Sequence, residues 1–425
     1  MQLSLFKPIS RDERQEECRV KWIKNKCKGT ITAATGFGKT YVGLNCIQSV
    51  LKVLPEAKII IIVPTLPLKE QWYNQLDKRD LSFNCEVVVV NTAIKNHYKC
   101  DLLVIDECHR MAADTFQQIF TCIKYKFILG LTATFERLDL KHELIQQYSP
   151  VIDVITLEEA KFQGWISDYK EYEVVIDVDD IDTYNNYNKL FNKSFEFFGY
   201  DFNLAMSCAG ESGYIQCAKL RDERCSHGSE EERKEMFKTI KYNSHNFMRT
   251  LGARKKFINN HPKKIELARK IINARSNSKI ITFSNNISMA EEIGYGVVFS
   301  GKDGKKKSKQ IISDFSASDS GVLNTIRRAD EGMDLPGLSV AIVLGLDSSK
   351  TRKTQRVGRV VRKEENKIAE IFTIVINNTV ESNWYKNSNT NPDVIVIDEK
   401  GLDDVLAGRE PKPYVKKLKD FTFRF

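Results

Sequence analysis

The sequence predicts an α/β protein of two tandem domains, each a parallel sheet covered by helices, with a helical insert between them. Three observations carry this. Short, continuously apolar, β-branched runs alternate with helical stretches over residues 28–156. The same alternation returns over residues 280–376, whereas the stretch between them is rich in aromatics and helix formers. Strands apolar on both faces belong in a sheet covered on both sides, and regular alternation with helices favours parallel connections.

In the first unit the apolar runs lie at residues 30–34, 58–64, 86–91, 102–106, 127–132 and 151–155. In the second they lie at 280–284, 297–300, 322–325, 340–344 and 368–376. Between the units, Tyr184, Tyr187, Phe191, Phe195, Phe198 and Phe202 recur at spacings suited to a packed helical core. The expected division is 1–171 for the first domain, 172–262 for the insert, 263–385 for the second domain and 386–425 for a tail.

Composition narrows the function classes. Of 425 residues, 42% are hydrophobic and 28% charged, which excludes wholesale disorder. No apolar run reaches the ~18 residues a membrane helix needs, and the first residues lack the pattern of a secretory signal. The ten cysteines form no C-x-x-C pair, so reduced thiols in a soluble cytoplasmic protein are expected. Cys208, Cys217, Cys225 and His227 match no zinc spacing. The net charge of +9 is unevenly spread: residues 249–275 hold nine basic side chains and one acidic, Glu266. Such a stretch fits a polyanionic partner or an ordinary solvated helix face.

The strongest local signal is Ala33-Ala34-Thr35-Gly36-Phe37-Gly38-Lys39-Thr40, between a predicted strand and a predicted helix. Phosphate binding needs a loop whose N–H groups turn inward, which glycine permits, and a helix N-terminus behind it. Lys39 is expected to reach the outer phosphates of a nucleotide and Thr40 to bind Mg²⁺. A carboxylate pair, Asp106-Glu107, ends the strand predicted at 102–106. Beside a phosphate loop, Asp106 would hold Mg²⁺ and Glu107 would orient and deprotonate the attacking water.

The ordered motifs resemble those of superfamily 2 helicases. Thr35–Thr40 resembles motif I, and Asp106-Glu107-Cys108-His109 resembles motif II in its DECH form. Pro64-Thr65 with Gln71-Trp72 resembles motif Ia, and Asn91-Thr92 stands where an early strand-end contact to nucleic acid is expected. Leu131-Thr132-Ala133-Thr134 resembles motif III, Ser284-Asn285 lies in a motif IV-like segment, and Asn324-Thr325 through Gly332 and Asp334 resembles motif V. Gln355-Arg356-Val357-Gly358-Arg359-Val360-Val361-Arg362 resembles motif VI. The resemblance implies two RecA-like domains with ATP and Mg²⁺ bound between them. It assigns Gln355, Arg359 and Arg362 to catalysis beside Lys39, Asp106 and Glu107. Gln15, Thr35, Gly36, Phe37, Gly38, Gly332 and Asp334 would contact the nucleotide, and His109, Thr132 and Thr134 would couple the sites. Pro64, Thr65, Asn91, Thr92, Ser284, Asn285, Asn324 and Thr325 would meet the nucleic acid.

Two departures matter. Phe135 replaces the proline that usually follows motif III, and the adenine-reading residues upstream of motif I are reduced to Arg14-Gln15. The DECH form together with motif VI is similar to the branch holding UvsW-like phage helicases, XPB-type helicases and type III restriction motors. It implies a monomeric DNA helicase or translocase, with phage replication, recombination or repair as the expected setting. A restriction-type duplex translocase, an RNA helicase and a non-hydrolysing clamp are the alternatives. Gln2-Leu3-Ser4-Leu5-Phe6 also resembles the peptide by which replication proteins engage a sliding clamp; Phe6 packing on the first domain is the competing expectation.

Overall fold

A computed structural model describes residues 7–112, 118–133, 142–210, 213–299, 304–326, 335–345, 358, 360–361, 363–364, 367–388, 393–412 and 414. The first unit runs α1 (Arg11–Lys24), β1 (Lys28–Ala33), α2 (Lys39–Val53), β2 (Ile59–Val63), α3 (Leu66–Asp77), β3 (Cys85–Val89), α4 (Val90–Asn96), β4 (Leu102–Asp106), α5 (Ile119–Cys122), β5 (Phe127–Thr132), α6 (His142–Tyr148), β6 (Val151–Ile155) and α7 (Leu157–Phe162). Its six strands are parallel in the order β3-β2-β4-β5-β1-β6. Each residue of β2 is buried, as an all-isoleucine-and-valine run covered on both faces requires. Helix α1 begins at a capping box in which Ser10 and Glu13 satisfy each other's backbone N–H groups.

Then come β7 (Asp168–Ile176), α8 (Ile181–Phe197), α9 (Phe202–Ala209), α10 (Gly213–Arg224), the 30-residue α11 (Glu230–Asn259) and α12 (Pro262–Ala274). The aromatics expected as core do pack: Phe191 and Phe247 stack at 5.0 Å, within an apolar cluster formed by α8 to α11. The second unit continues with β8 (Lys279–Ser284), α13 (Ile287–Glu292), β9 (Val297–Phe299), α14 (Gly304–Ala317), β10 (Gly321–Ile326), β11 (Leu338–Val343), β12 (Ile368–Ile376), helix Val380–Ser388, β13 (Ile395–Ile397) and helix Glu399–Leu406. Its seven strands are parallel in the order β13-β7-β12-β11-β8-β10-β9.

Two expectations need correction. β7 crosses the boundary drawn at 171/172 and pairs with β12 from Asp168↔Ile368 to Ile176↔Ile376. The second sheet is therefore assembled from chain on both sides of the helices, and β13, from the expected tail, adds its edge. The strand expected at 86–91 stops at Val89, because Val90 and Ala93 are buried at helical spacing. Asn91 and Thr92 thus sit in the first turn of α4.

The two sheets share one apolar cluster, which runs from Ile31 and Phe37 through Trp165 and Ile166 to Val360, Val361 and Phe283. Ser167 N–H donates to Val361 O at 2.8 Å, and its hydroxyl accepts from Glu364 N–H at 3.0 Å.

Candidate active site

The loop after β1 has the conformation that its glycines predict. Gly36 and Gly38 lie at φ 92° and 95°, in the left-handed region, and Gly38 is the N-cap of the 15-residue α2 with no side chain capping it. Tyr41 and Val42 N–H donate to Gly38 O at 2.9 and 3.3 Å, which leaves the N–H groups of Lys39 and Thr40 for an outside acceptor, at the positive end of the helix. Lys39 opens α2 and its Nζ lies 3.4 Å from Ala33 O; Thr40 is the next residue. Phe37 is buried and packs on Trp165 with ring centroids 5.3 Å apart.

Gln15 reaches the same loop: its Nε2 donates to Phe37 O at 2.8 Å. What aims Gln15 is Arg14, whose importance the sequence did not disclose. Its guanidinium donates to Asp153 at 2.6 and 3.0 Å and to Glu159 at 2.8 Å, in a buried network. A buried bidentate pair clamps α1 to β6 and α7. Arginine beside a motif residue in an amphipathic helix was the only available signal.

At the end of β4, Asp106 is buried and accepts from Trp72 Nε1–H at 2.8 Å and from Glu107 N–H at 2.9 Å. Burial and the neighbouring Glu107 charge push its carboxyl up to about 6, against the pull of Trp72 and Lys39. Burial would also raise Glu107, but His109, Lys39 and Arg110 outweigh it and hold that carboxyl below its ordinary range. Two adjacent carboxylates are thus driven apart, one towards sharing a proton and one towards staying charged. Glu107 adopts φ 49°, a left-handed conformation that costs a non-glycine residue about 1–2 kcal/mol. His109 Nδ1 lies 3.4 Å from Glu107 Oε2 and 2.9 Å from Thr132 Oγ1, so the ends of β4 and β5 meet at one imidazole.

The second unit reaches this loop through Gly358. A Cβ there would stand 2.1 Å from Thr35 Cβ, so only glycine lets the motif VI backbone lie against motif I. Thr35 Oγ1 is buried beside it with no hydrogen-bond partner among the described residues. Gln355, Arg359 and Arg362 lie outside the described residues, as do Thr134, Gly332, Asp334 and the segment Gln2–Phe6.

These residues fit ATP and Mg²⁺. The Lys39 and Thr40 N–H groups, an orphaned hydroxyl and a lysine suit phosphate oxygens. Thr40 and Asp106 offer the hard oxygen donors Mg²⁺ prefers. Among the described residues no group of three His, Cys, Asp or Glu could hold a metal ion.

The expected nucleic-acid residues separate into two kinds. Pro64 and Thr65 follow β2, and Thr65 Oγ1 is buried without a hydrogen-bond partner among the described residues; so is Ser284 Oγ at the end of β8. Asn285 donates to Asn259 Oδ1 at 2.7 Å. Asn324 and Thr325 are buried inside β10 instead: Asn324 accepts from Thr282 Oγ1 at 2.8 Å, and Thr325 Oγ1 donates to Thr282 O at 2.6 Å.

Comparison with known proteins adds three findings. Residues 9–97 and 91–137 match the type III restriction enzyme res subunit family, and residues 263–364 match the helicase conserved C-terminal domain. The DNA 3'-5' translocase XPB2 of the archaeon Sulfurisphaera tokodaii is 27% identical over 390 residues, covering 86% of this chain and 82% of the relative. Among solved structures, yeast (S. cerevisiae) Dbp5 bound to RNA and ADP BeF3 is similar at a TM-score of 0.58 and 12% identity, covering 92% of this chain and 91% of that one. The Pyrococcus furiosus Hef helicase domain matches at a TM-score of 0.49 and 16% identity, with 89% and 97% covered. The Dbp5 likeness speaks for the paired RecA-like fold. No helix among the described residues is long and apolar enough to cross a membrane. Both family models match in order along one chain, so the chain has the domain architecture of superfamily 2 helicases, is similar to their XPB and type III restriction branch, and its matched domains support nucleic-acid-stimulated ATP hydrolysis.

Proposed function

We propose that this chain is an ATP-driven DNA helicase or translocase that steps along the strand backbone as its two domains open and close. The observation that carries the reading is the contact of Gly358 with Thr35, because Arg359 follows Gly358 directly and Arg362 follows three residues later. In this reading Lys39, the Thr35 hydroxyl and the loop N–H groups of Gly36 and Gly38 bind phosphate oxygens, Phe37, whose N–H donates to Ala34 O at 3.2 Å, shapes the loop, and Gln15 holds it. Thr40 and Asp106 hold Mg²⁺, which when bound neutralises phosphate charge and polarises the bond to be broken. Glu107, kept charged, takes the proton of the attacking water. Arg359 and Arg362, aided by Gln355, stabilise the charge that spreads at the transferred phosphoryl group; such arginines are typically worth about 10³–10⁵ in rate. Gly332 and Asp334 complete the nucleotide face, and His109 with Thr132 and Thr134 relays the state of Glu107.

The strand track is assigned to Pro64, Thr65, Asn91, Thr92, Ser284 and Asn285, with Asn324 and Thr325 bracing it from inside β10. Contacts of this kind are to phosphates, so binding should be sequence-tolerant and weaken with salt. The XPB-type relative, named a DNA translocase, supports DNA over RNA. The type III restriction match supports a second reading, a duplex translocase that moves without separating strands. A phage replication or repair setting rests on the UvsW-like resemblance alone, and the relative at 27% identity is archaeal. We also propose that the protein acts as a cytoplasmic monomer and that Gln2–Phe6 recruits a sliding clamp; an unchanged clamp pull-down after Leu5→Ala/Phe6→Ala would refute the latter.

The deciding experiment is ATPase activity with single-stranded DNA, forked DNA and RNA at fixed salt, followed by fork unwinding. DNA stimulation with unwinding is expected. Stimulation without unwinding selects the duplex translocase, stimulation by RNA alone selects the RNA helicase, and turnover indifferent to every strand overturns the motor.

A further inference from the structure

The end of the long helix α11 is bolted to the loop after β8. Asn285 Nδ2 donates to Asn259 Oδ1 at 2.7 Å, and Asn286 Nδ2 donates to Asn260 Oδ1 at 2.5 Å. Asn286 Oδ1 in turn accepts from Met289 N–H at 2.8 Å, capping α13, so both ends of this amide are engaged and its orientation is set. These are short, neutral side chains in partly buried positions. Their bonds are directional, insensitive to salt and unable to follow a helix that shifts by an ångström.

The far side of the bolt leads to the ATP site. Gly345 lies so close to Asn285 that a Cβ there would stand 2.4 Å from Asn285 Cγ. One residue earlier, Leu344 O accepts from the buried Lys264 Nζ at 2.9 Å, and Lys264 also meets the buried Glu381 at 2.6 Å. Lys264 belongs to α12, immediately after the bolt, so the junction of α11 and α12 grips the end of β11 at two points. Leu344 N–H and Gly345 N–H both donate to Phe283 O, at 3.0 and 3.1 Å, and Phe283 belongs to the apolar cluster that also holds Ile31 and Phe37 of the phosphate-loop region. The near side is basic: between Met236 and Ile265 no residue is acidic, and Lys241, Arg249, Lys255 and Lys256 are exposed on α11.

We propose that Asn259 and Asn260 are positioning residues that couple the helical region to the ATP site, so that nucleic acid held against α11 accelerates turnover through Asn285, Asn286 and Gly345. This inference rests on the motor reading above. Without the bolt α11 still binds the strand, and the ATP site still works at its unstimulated rate; only the communication is lost.

The test measures, for the full chain, the unstimulated ATPase rate, the stimulated rate at saturating forked DNA and the DNA concentration giving half stimulation. For Asn259→Ala/Asn260→Ala the unstimulated rate and the half-stimulating concentration should stay within about twofold of wild type, while stimulation falls about tenfold, an ordinary size for coupling between sites. Both asparagines act as acceptors, so Asn259→Asp/Asn260→Asp, which keeps those oxygens in place, should restore most of the stimulation. Full stimulation in the alanine variant overturns the proposal. So does an aspartate variant as poor as the alanine one, or a loss of unstimulated turnover equal to the loss of stimulation. If the alanine pair does not fold, the aspartate pair is compared with Asn286→Ala, which removes one donor from the other side; wild-type stimulation in Asn286→Ala is then the overturning result. A wild-type protein that no strand stimulates refutes the motor reading instead.

Discussion

At the carboxyl ends of the first sheet's strands, Thr35 and Thr65 each keep a buried oxygen with no hydrogen-bond partner among the described residues, and Glu107 holds its charge beside a proton-seeking Asp106. In the middle of the second sheet, Thr282, Asn324 and Thr325 are also polar and are more deeply buried, yet they bond one another and the backbone. Polar residue types are alike in the two regions; the difference is whether bonding capacity is spent inside the fold. A buried polar group with capacity to spare costs stability, and it persists where a ligand can use it. Ser284, also unpartnered among the described residues, makes the end of β8 resemble the first region more than its own neighbours.

The sharpest break of this contrast is Glu107→Gln. It keeps shape and removes the base, so stimulated ATPase should fall by about 10³-fold while nucleotide binding persists. Single-turnover hydrolysis at wild-type rate would remove Glu107 from the chemistry. Next is Gly358→Ala, whose new methyl must push the motif VI backbone away from Thr35. A displacement near 1 Å at such a contact costs on the order of 10²-fold, and the loss should appear in turnover rather than in folding.

The carboxylate pair gives a pH signature. Mg²⁺ needs Asp106 unprotonated, so nucleotide-dependent turnover should fall on the acid side of about pH 6. Trp72→Phe deletes the N–H that opposes this upward shift, so the acid limb should move to higher pH, by roughly half a unit to one unit. The stability sign is opposite. A carboxyl raised on folding holds its proton more tightly in the native state, so it costs stability at neutral pH, and that cost fades as pH falls through about 6. Asp106→Asn should therefore abolish turnover yet raise thermal stability, by roughly 1–3 kcal/mol.

Much of this contrast was legible from the chain because the first region is local. Glycines at Gly36 and Gly38, a lysine opening a helix and a carboxylate pair ending an apolar strand are contiguous patterns, each with a chemical reason. What stayed hidden depends on distant pairing. That β7 joins the second sheet follows from a nine-residue parallel register with β12, almost 200 residues away. The clamp of Arg14 on Asp153 and Glu159 leaves no periodic trace, nor does the hold of Trp72 on Asp106. Asn324 and Thr325 stand in a motif V-like segment, and only the structure could tell that Thr282 already occupies them. Asn91 and Thr92 were displaced from a strand end to a helix because Val90 and Ala93 prefer the core at helical spacing.

The subtlest test sets Thr282 against Ser284, two residues apart in β8 and both fully buried. Thr282→Val is nearly isosteric, but it withdraws the hydroxyl donor from Asn324 Oδ1 and leaves that acceptor buried and unpaired. The expected cost is about 1–3 kcal/mol of stability, visible as a lower denaturant midpoint, with strand-stimulated ATPase changed by less than about twofold. Ser284→Ala removes an oxygen that no described residue uses, so folding loses little, and the change should appear as a higher DNA concentration for half stimulation. Deleting one phosphate hydrogen bond is worth about 1 kcal/mol, or roughly fivefold in that concentration. If Thr282→Val impairs DNA stimulation while Ser284→Ala only destabilises, spare bonding capacity is not what marks the functional strand ends, and the comparison between the two sheets fails.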